Sequence, residues 1–177
     1  MKKQKIIPIL LTLIRRKDIP YMLISAILGT VNHFLYEYSD QNPVTGLFTP
    51  INESVWEHMK LLFFPILFVS VIQFVFQQPN RKSFWGGRLL GVWISIIAVI
   101  FLYYGYSGLL GTHFAVIDIL LFFVGVLLAF ITSAKTGKYF RNVDLIPIFW
   151  GWAVSALLFF ILTCYHPEIP LFLPPQG

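Results

Sequence analysis

The chain has 177 residues, of which 57% are hydrophobic, 18% aromatic and only 12% charged, with a formal net charge of +5 and a single cysteine, Cys164. A soluble domain carries about 25% charged residues, so most of this surface must meet lipid or other apolar helices. One cysteine excludes an internal disulfide and a cysteine-rich metal cluster, and the placement of the bases, described below, excludes nucleic acid as the reason for the positive charge.

Residues 1–18 open with Lys2, Lys3 and Lys5, continue through an apolar run from Ile6 to Ile14, and close with Arg15, Arg16 and Lys17. Nine helical residues rise only about 14 Å, half a hydrocarbon core, and no small-residue cleavage site follows. The expectation is a cytoplasmic segment lying at the interface, held by bases at both ends.

Five later runs are long and apolar enough to span: Ile19 to Tyr38, Leu61 to Gln77, Gly86 to Tyr106, Phe114 to Ala134 and Leu145 to Cys164. They lack the alternation of a barrel strand, and an open strand in lipid would leave backbone groups unpaired, so all five are predicted to be helices. The fold class is therefore all-α, a polytopic membrane bundle in one domain over residues 1–177. Residues 165–177, rich in proline, form a tail that cannot continue a helix.

Lys and Arg set the orientation. Twelve of the thirteen bases fall in the N-terminal segment, in the second-to-third connection (Arg81, Lys82, Arg88) and in the fourth-to-fifth connection (Lys135, Lys138, Arg141); Lys60 alone falls on the other side. This pattern predicts N-terminus inside, C-terminus outside, in a multi-pass protein of the cell membrane. The expected partner is the lipid bilayer, nucleic acid is not expected, and a homo-oligomer is left open. Asp18 and Asp144 precede spans and read as helix N-terminal residues. Gly87 and Gly91, and Gly105, Gly108 and Gly111, read as close helix approaches or turns.

The other polar residues gather on the outer side. All four histidines (His33, His58, His113, His166) fall there, with Glu37, Asp40, Glu53, Glu57, Asp118 and Glu168. The positive-inside rule does not require this, and ionisable groups at membrane depth default to a functional site. His33 and Glu37, four apart, share a helix face. Asn52 reads as an N-cap, which would put Glu53, Glu57 and Lys60 on one stripe with His58 about 100° away. His113 and Asp118, five apart, converge only if His113 lies in the turn before the helix.

The stretch Phe48-Thr49-Pro50-Ile51-Asn52-Glu53-Ser54-Val55-Trp56-Glu57-His58-Met59-Lys60, running on to Pro65, resembles the signature of a family of small bacterial integral membrane proteins without an assigned function. His33 to Ser39 and Gly111-Thr112-His113 fit the same pattern. The resemblance implies topology and class and transfers no catalytic residue. A zincin helix, with two histidines four apart around a glutamate, is absent from the sequence.

The favoured reading is a metal-dependent hydrolase embedded in the membrane, acting at the outer face on a lipid or lipid-linked substrate. His33, Glu37, His58 and His113 are the candidate ligands of a divalent metal such as zinc, and Glu57, Asp118 and Glu53 the candidate catalytic carboxylates. The alternatives are a non-catalytic membrane module or sensor, in which the polar cluster holds the bundle together, and a small proton-coupled transporter.

Overall fold

The computed structural model describes residues 13–175. Most of the expected interfacial segment lies outside them. Six α-helices and no strand occur among the described residues: α1 (Ile19–Tyr38), α2 (Pro43–Phe48), α3 (Val55–Gln77), α4 (Arg81–Leu110), α5 (Ala115–Thr136) and α6 (Leu145–Cys164). All but α2 are long and apolar enough to cross a membrane. The five spans are thus legible in the sequence, with two boundary differences.

The first difference bears on the site. α3 begins at Val55, not Leu61, and its cap is Ser54, whose Oγ accepts from the Glu57 amide at 3.3 Å. Asn52, expected as the cap, instead accepts from the Ser54 amide through Oδ1 at 2.9 Å, a side-chain turn that leads the chain into the helix. Glu53 therefore stands in the loop before α3, and the Glu53–Glu57–Lys60 stripe does not form. The second difference is α4, which runs past both expected ends. Asn80 caps it by accepting from the Ser83 amide at 3.0 Å, and Gly111, with φ of 73°, closes it in the left-handed conformation glycine tolerates.

α3 is the central helix. Every residue from Leu61 to Ile66 is buried, and the rings of Phe63 and Phe64 pack on Phe159 of α6 at centroid distances of 5.0 and 5.8 Å. The outer helices turn residues such as Ile27, Phe101, Val116 and Phe149 outward. In lipid the apolar surface itself does not drive association, so packing fit and small residues must. Gly87 and Gly91 of α4 meet the expectation: a Cβ on Gly91 would lie 2.4 Å from the Ala129 carbonyl oxygen of α5, and one on Gly87 2.8 Å from the Gly137 Cα. Gly105 and Gly108 make no such approach.

α1 packs on α3 by a related device. Pro65 has no amide hydrogen, so the Leu61 carbonyl one turn earlier loses its helical donor. Gly29 of α1 comes up against that carbonyl, where an added Cβ would lie 2.7 Å from the oxygen. About one turn from this contact, along each helix, stand His33 and His58.

At the opposite end of the bundle, Asp18 does not cap α1 with its side chain. It is buried and accepts from Gln73 Nε2 at 2.6 Å, while Arg88 Nη2 donates to Gln73 Oε1 at 2.8 Å. Arg88, read from the sequence as a loop base, lies inside α4, wholly buried, with its guanidinium 3.9 Å from the centroid of Phe130. Two of its nitrogens, Nε and Nη1, have no acceptor among the described residues. The tail after α6 folds back, as its apolar residues suggest: the Leu171 carbonyl accepts from the Trp56 amide at 3.0 Å, and Phe172 is buried against the Trp56 ring.

Candidate metal centre and facing dyad

The histidine end of the bundle is where α1 ends and α3 and α5 begin. Three side chains converge there: His33 from α1, Glu53 from the loop and His58 from the first turn of α3. Each offers one donor atom, and these atoms lie within 4.8 Å of one another. His33 Nε2 is 3.2 Å from His58 Nε2, and Glu53 Oε2 is 3.3 Å from His58 Nε2 and 4.0 Å from His33 Nε2.

The protonation of His58 follows from its other nitrogen. Nδ1 lies 2.9 Å from the Ser54 carbonyl, which can only accept, so Nδ1 carries the hydrogen and Nε2 of the neutral ring is left as a lone pair. A carbonyl behind an imidazole is the usual means of aiming the opposite nitrogen at a metal. Two nitrogens bound to one tetrahedral zinc, each at about 2.0–2.1 Å, stand about 3.3 Å apart, close to both His58 separations. Glu53, mostly exposed, is held below the ordinary carboxylate value of 4.5, first by the hydrogen bond it accepts when His58 is protonated at Nε2, which outweighs the opposing effect of burial, and then by the charges of the protonated histidines around it.

Across a cavity of about 350 Å³, lined by His58 and Glu53, stand His113 and Asp118. His113 is in the turn before α5, the one placement that lets it reach Asp118. Its Nδ1 lies 3.0 Å from Asp118 Oδ2. The Tyr106 hydroxyl donates to the other Asp118 oxygen and accepts from the Phe114 amide at 3.1 Å. The cavity floor is apolar, formed by Leu61, Leu62, Val99 and Phe122, and Pro174 and Pro175 of the tail also line it.

Two sequence candidates lie apart from this arrangement. Glu57 is buried and points into the loop: Oε2 accepts from Lys60 Nζ at 2.7 Å and from the Ile51 amide at 3.0 Å, and Oε1 from Thr163 Oγ1 at 3.1 Å. Lys60 Nζ also donates to the carbonyls of Gly46 at 2.7 Å and Thr49 at 3.1 Å. With its oxygens so engaged, Glu57 is not a free base; the pair ties residues 46–51 to α3. Glu37 is exposed and makes no hydrogen bond to His33 among the described residues, because the His33 ring turns toward α3 instead. It lines a neighbouring groove with His33 and Glu53. His166 is exposed beyond α6.

Sequence reasoning misses Tyr106, the Ser54 carbonyl and Thr163. Nothing in their spacing marks them. Lys60 does carry a signal, as the one base outside the segments in which the sequence gathers the other twelve.

Five membrane-length apolar helices around a buried core define a multi-pass α-helical membrane protein. The polar residues at one end of it come mainly from the Asn52–Lys60 motif and from the ends of the neighbouring helices. The chain belongs to a family of unknown function, DUF6512, whose model matches residues 10–175. No curated protein and no solved structure matches it.

Proposed function

We propose that this protein is a metal-dependent hydrolase embedded in the cell membrane, with its site at the extracytoplasmic face and a lipid or lipid-linked molecule as substrate. The observation that carries the reading is the convergence of His33 Nε2, His58 Nε2 and Glu53 Oε2 within bridging distance. Three protein ligands and an open position are the usual catalytic zinc arrangement. A zinc ion there would act as a Lewis acid and lower the pKa of water. The orientation rests on twelve of thirteen bases falling to one side, which puts the histidine end outside.

In this reading His33, His58 and Glu53 hold the metal, and Glu57 with Lys60 is a positioning pair that fixes the loop carrying Glu53. The apolar floor of the cavity suits the chain of an amphiphile, whose cleavable bond would lie at the polar rim. A transport path is disfavoured by the middle of the bundle, where Phe63, Phe64, Ile66, Phe130 and Phe159 are each at most 1% exposed.

Metal analysis of the full-length protein in nanodiscs tests the proposal. One zinc per chain is expected, lost in His33→Ala and in His58→Ala. Protein that retains no transition metal after zinc loading sinks it, and the cluster is then a hydrogen-bonded fastening between α1 and α3.

A further inference from the structure

We infer that His113 is the general base and acid of the reaction proposed above, held by Asp118 and Tyr106 as positioning residues, and that it is not a metal ligand. The inference rests on that proposal for the reaction and on separate geometry for the dyad.

Both oxygens of Asp118 are engaged, one by the Tyr106 hydroxyl and the other by His113 Nδ1. Tyr106 is itself oriented by the Phe114 amide. A carboxylate so held can only accept from Nδ1, which fixes the neutral ring with its lone pair on Nε2. That nitrogen has no hydrogen-bond partner among the described residues, and the ring lines the same cavity as His58 and Glu53. A free imidazole nitrogen backed by a carboxylate is the arrangement in which histidine takes up and returns a proton in catalysis. The dyad also sits apart from the three donor atoms that converge on one another.

The step balances as a hydrolysis. Water is the co-reactant. His113 Nε2 takes a proton from the attacking water as its oxygen forms a bond to the acyl or phosphoryl centre. The bond from that centre to the leaving oxygen breaks with its electron pair on that oxygen, and Nε2 returns the proton to it. Asp118 stays ionised and stabilises the imidazolium between the two transfers.

Diethyl pyrocarbonate modification, read residue by residue by mass spectrometry, separates the roles without requiring a known substrate. The protein is the full chain in nanodiscs, metal-free or loaded with zinc, with exposed His166 as internal reference. In the metal-free protein His33, His58 and His113 all react. Zinc is expected to protect His33 and His58 and leave His113 reactive. Asp118→Asn is expected to slow His113 several-fold while leaving the zinc protection of the other two intact, with Tyr106→Phe giving a smaller slowing in the same direction. Zinc protection of His113 along with the others would make it a ligand and overturn the inference while the metal centre stands. His113 reactivity indifferent to Asp118→Asn would overturn it as well. If zinc protects none of the three, the metal reading has failed, and the hydrolytic role of His113 falls with it.

Discussion

His33 Nε2 and His58 Nε2 stand 3.2 Å apart, on residues separated by 25 positions. Two imidazole lone pairs at that distance repel unless a proton or a cation lies between them. With His58 Nδ1 holding the ring hydrogen against the Ser54 carbonyl, the choice is between a hydrogen donated by His33 and a metal shared by both. The two cases differ in one measurable respect, since a metal also draws in Glu53. Glu53→Gln should therefore weaken zinc binding in a titration by more than the roughly 10–100-fold typical of losing an outer-shell partner, whereas if the contact is only N–H···N neither wild type nor variant binds zinc at the site.

Glu57 and Lys60 form a buried ion pair whose remaining bonds reach Gly46, Thr49, Ile51 and Thr163. Removing one partner of such a pair costs about 3–5 kcal/mol, because the other is left buried and unpaired. Lys60→Met is expected to lower the thermal midpoint of the purified protein and to weaken zinc binding, since the loop that delivers Glu53 is released. A Lys60→Met protein with unchanged stability would mean the pair does not hold the loop.

Gly29 sets the distance between α1 and α3 one turn from the histidines, by admitting the Leu61 carbonyl that Pro65 leaves without a donor. A Cβ on Gly29 would meet the Phe122 ring of α5 as well as that carbonyl, so Gly29→Val must move α1 away from both. The expected outcome is a folded protein with zinc affinity reduced at least as much as in Glu53→Gln, although no ligand is altered. Wild-type zinc affinity in Gly29→Val would show that this approach does not control the site.

Glu53 gives a pH dependence with a definite sign. Its carboxyl is held below the ordinary value of 4.5 in the folded protein, principally by the hydrogen bond with His58. A depressed folded value contributes stability that is fully present above the ordinary value and is lost as the pH falls through the folded value. The contribution is small, because Glu53 is largely exposed to solvent. In metal-free protein, thermal midpoints measured below pH 4.5 should fall less steeply for Glu53→Gln than for wild type.

The spans and their number are legible because a membrane helix is selected for apolarity over its whole length, a signal that needs no knowledge of neighbours. The sequence marks Glu53 and His58 as polar residues at one end but hides their relation, which depends on a helix cap two residues later than Asn52 suggests. Ser54 and Asn52 are both good caps, and the choice between them is settled by the Asn52 side chain bonding to the Ser54 amide. The Glu57–Lys60 spacing signals an ion pair, but not its burial, since that depends on the loop folding over it. Asp18 and Arg88 look like boundary residues because each lies near a span's end. Their burial arises from Gln73 on a third helix, which no local pattern can anticipate.

Arg88 has a bearing on how the protein enters the membrane during synthesis. Its guanidinium is covered by Phe130, which belongs to the following helix. When α4 emerges alone, that face of the arginine is bare, and an unpaired arginine within a membrane helix is costly to insert. Until α5 arrives, the cheaper position for α4 is one that keeps Arg88 among the headgroups, as a long flexible side chain allows. α4 and α5, already matched glycine to backbone along Gly87 and Gly91, are therefore best laterally released into the bilayer as one hairpin, and the final depth of α4 is set only when its successor is made.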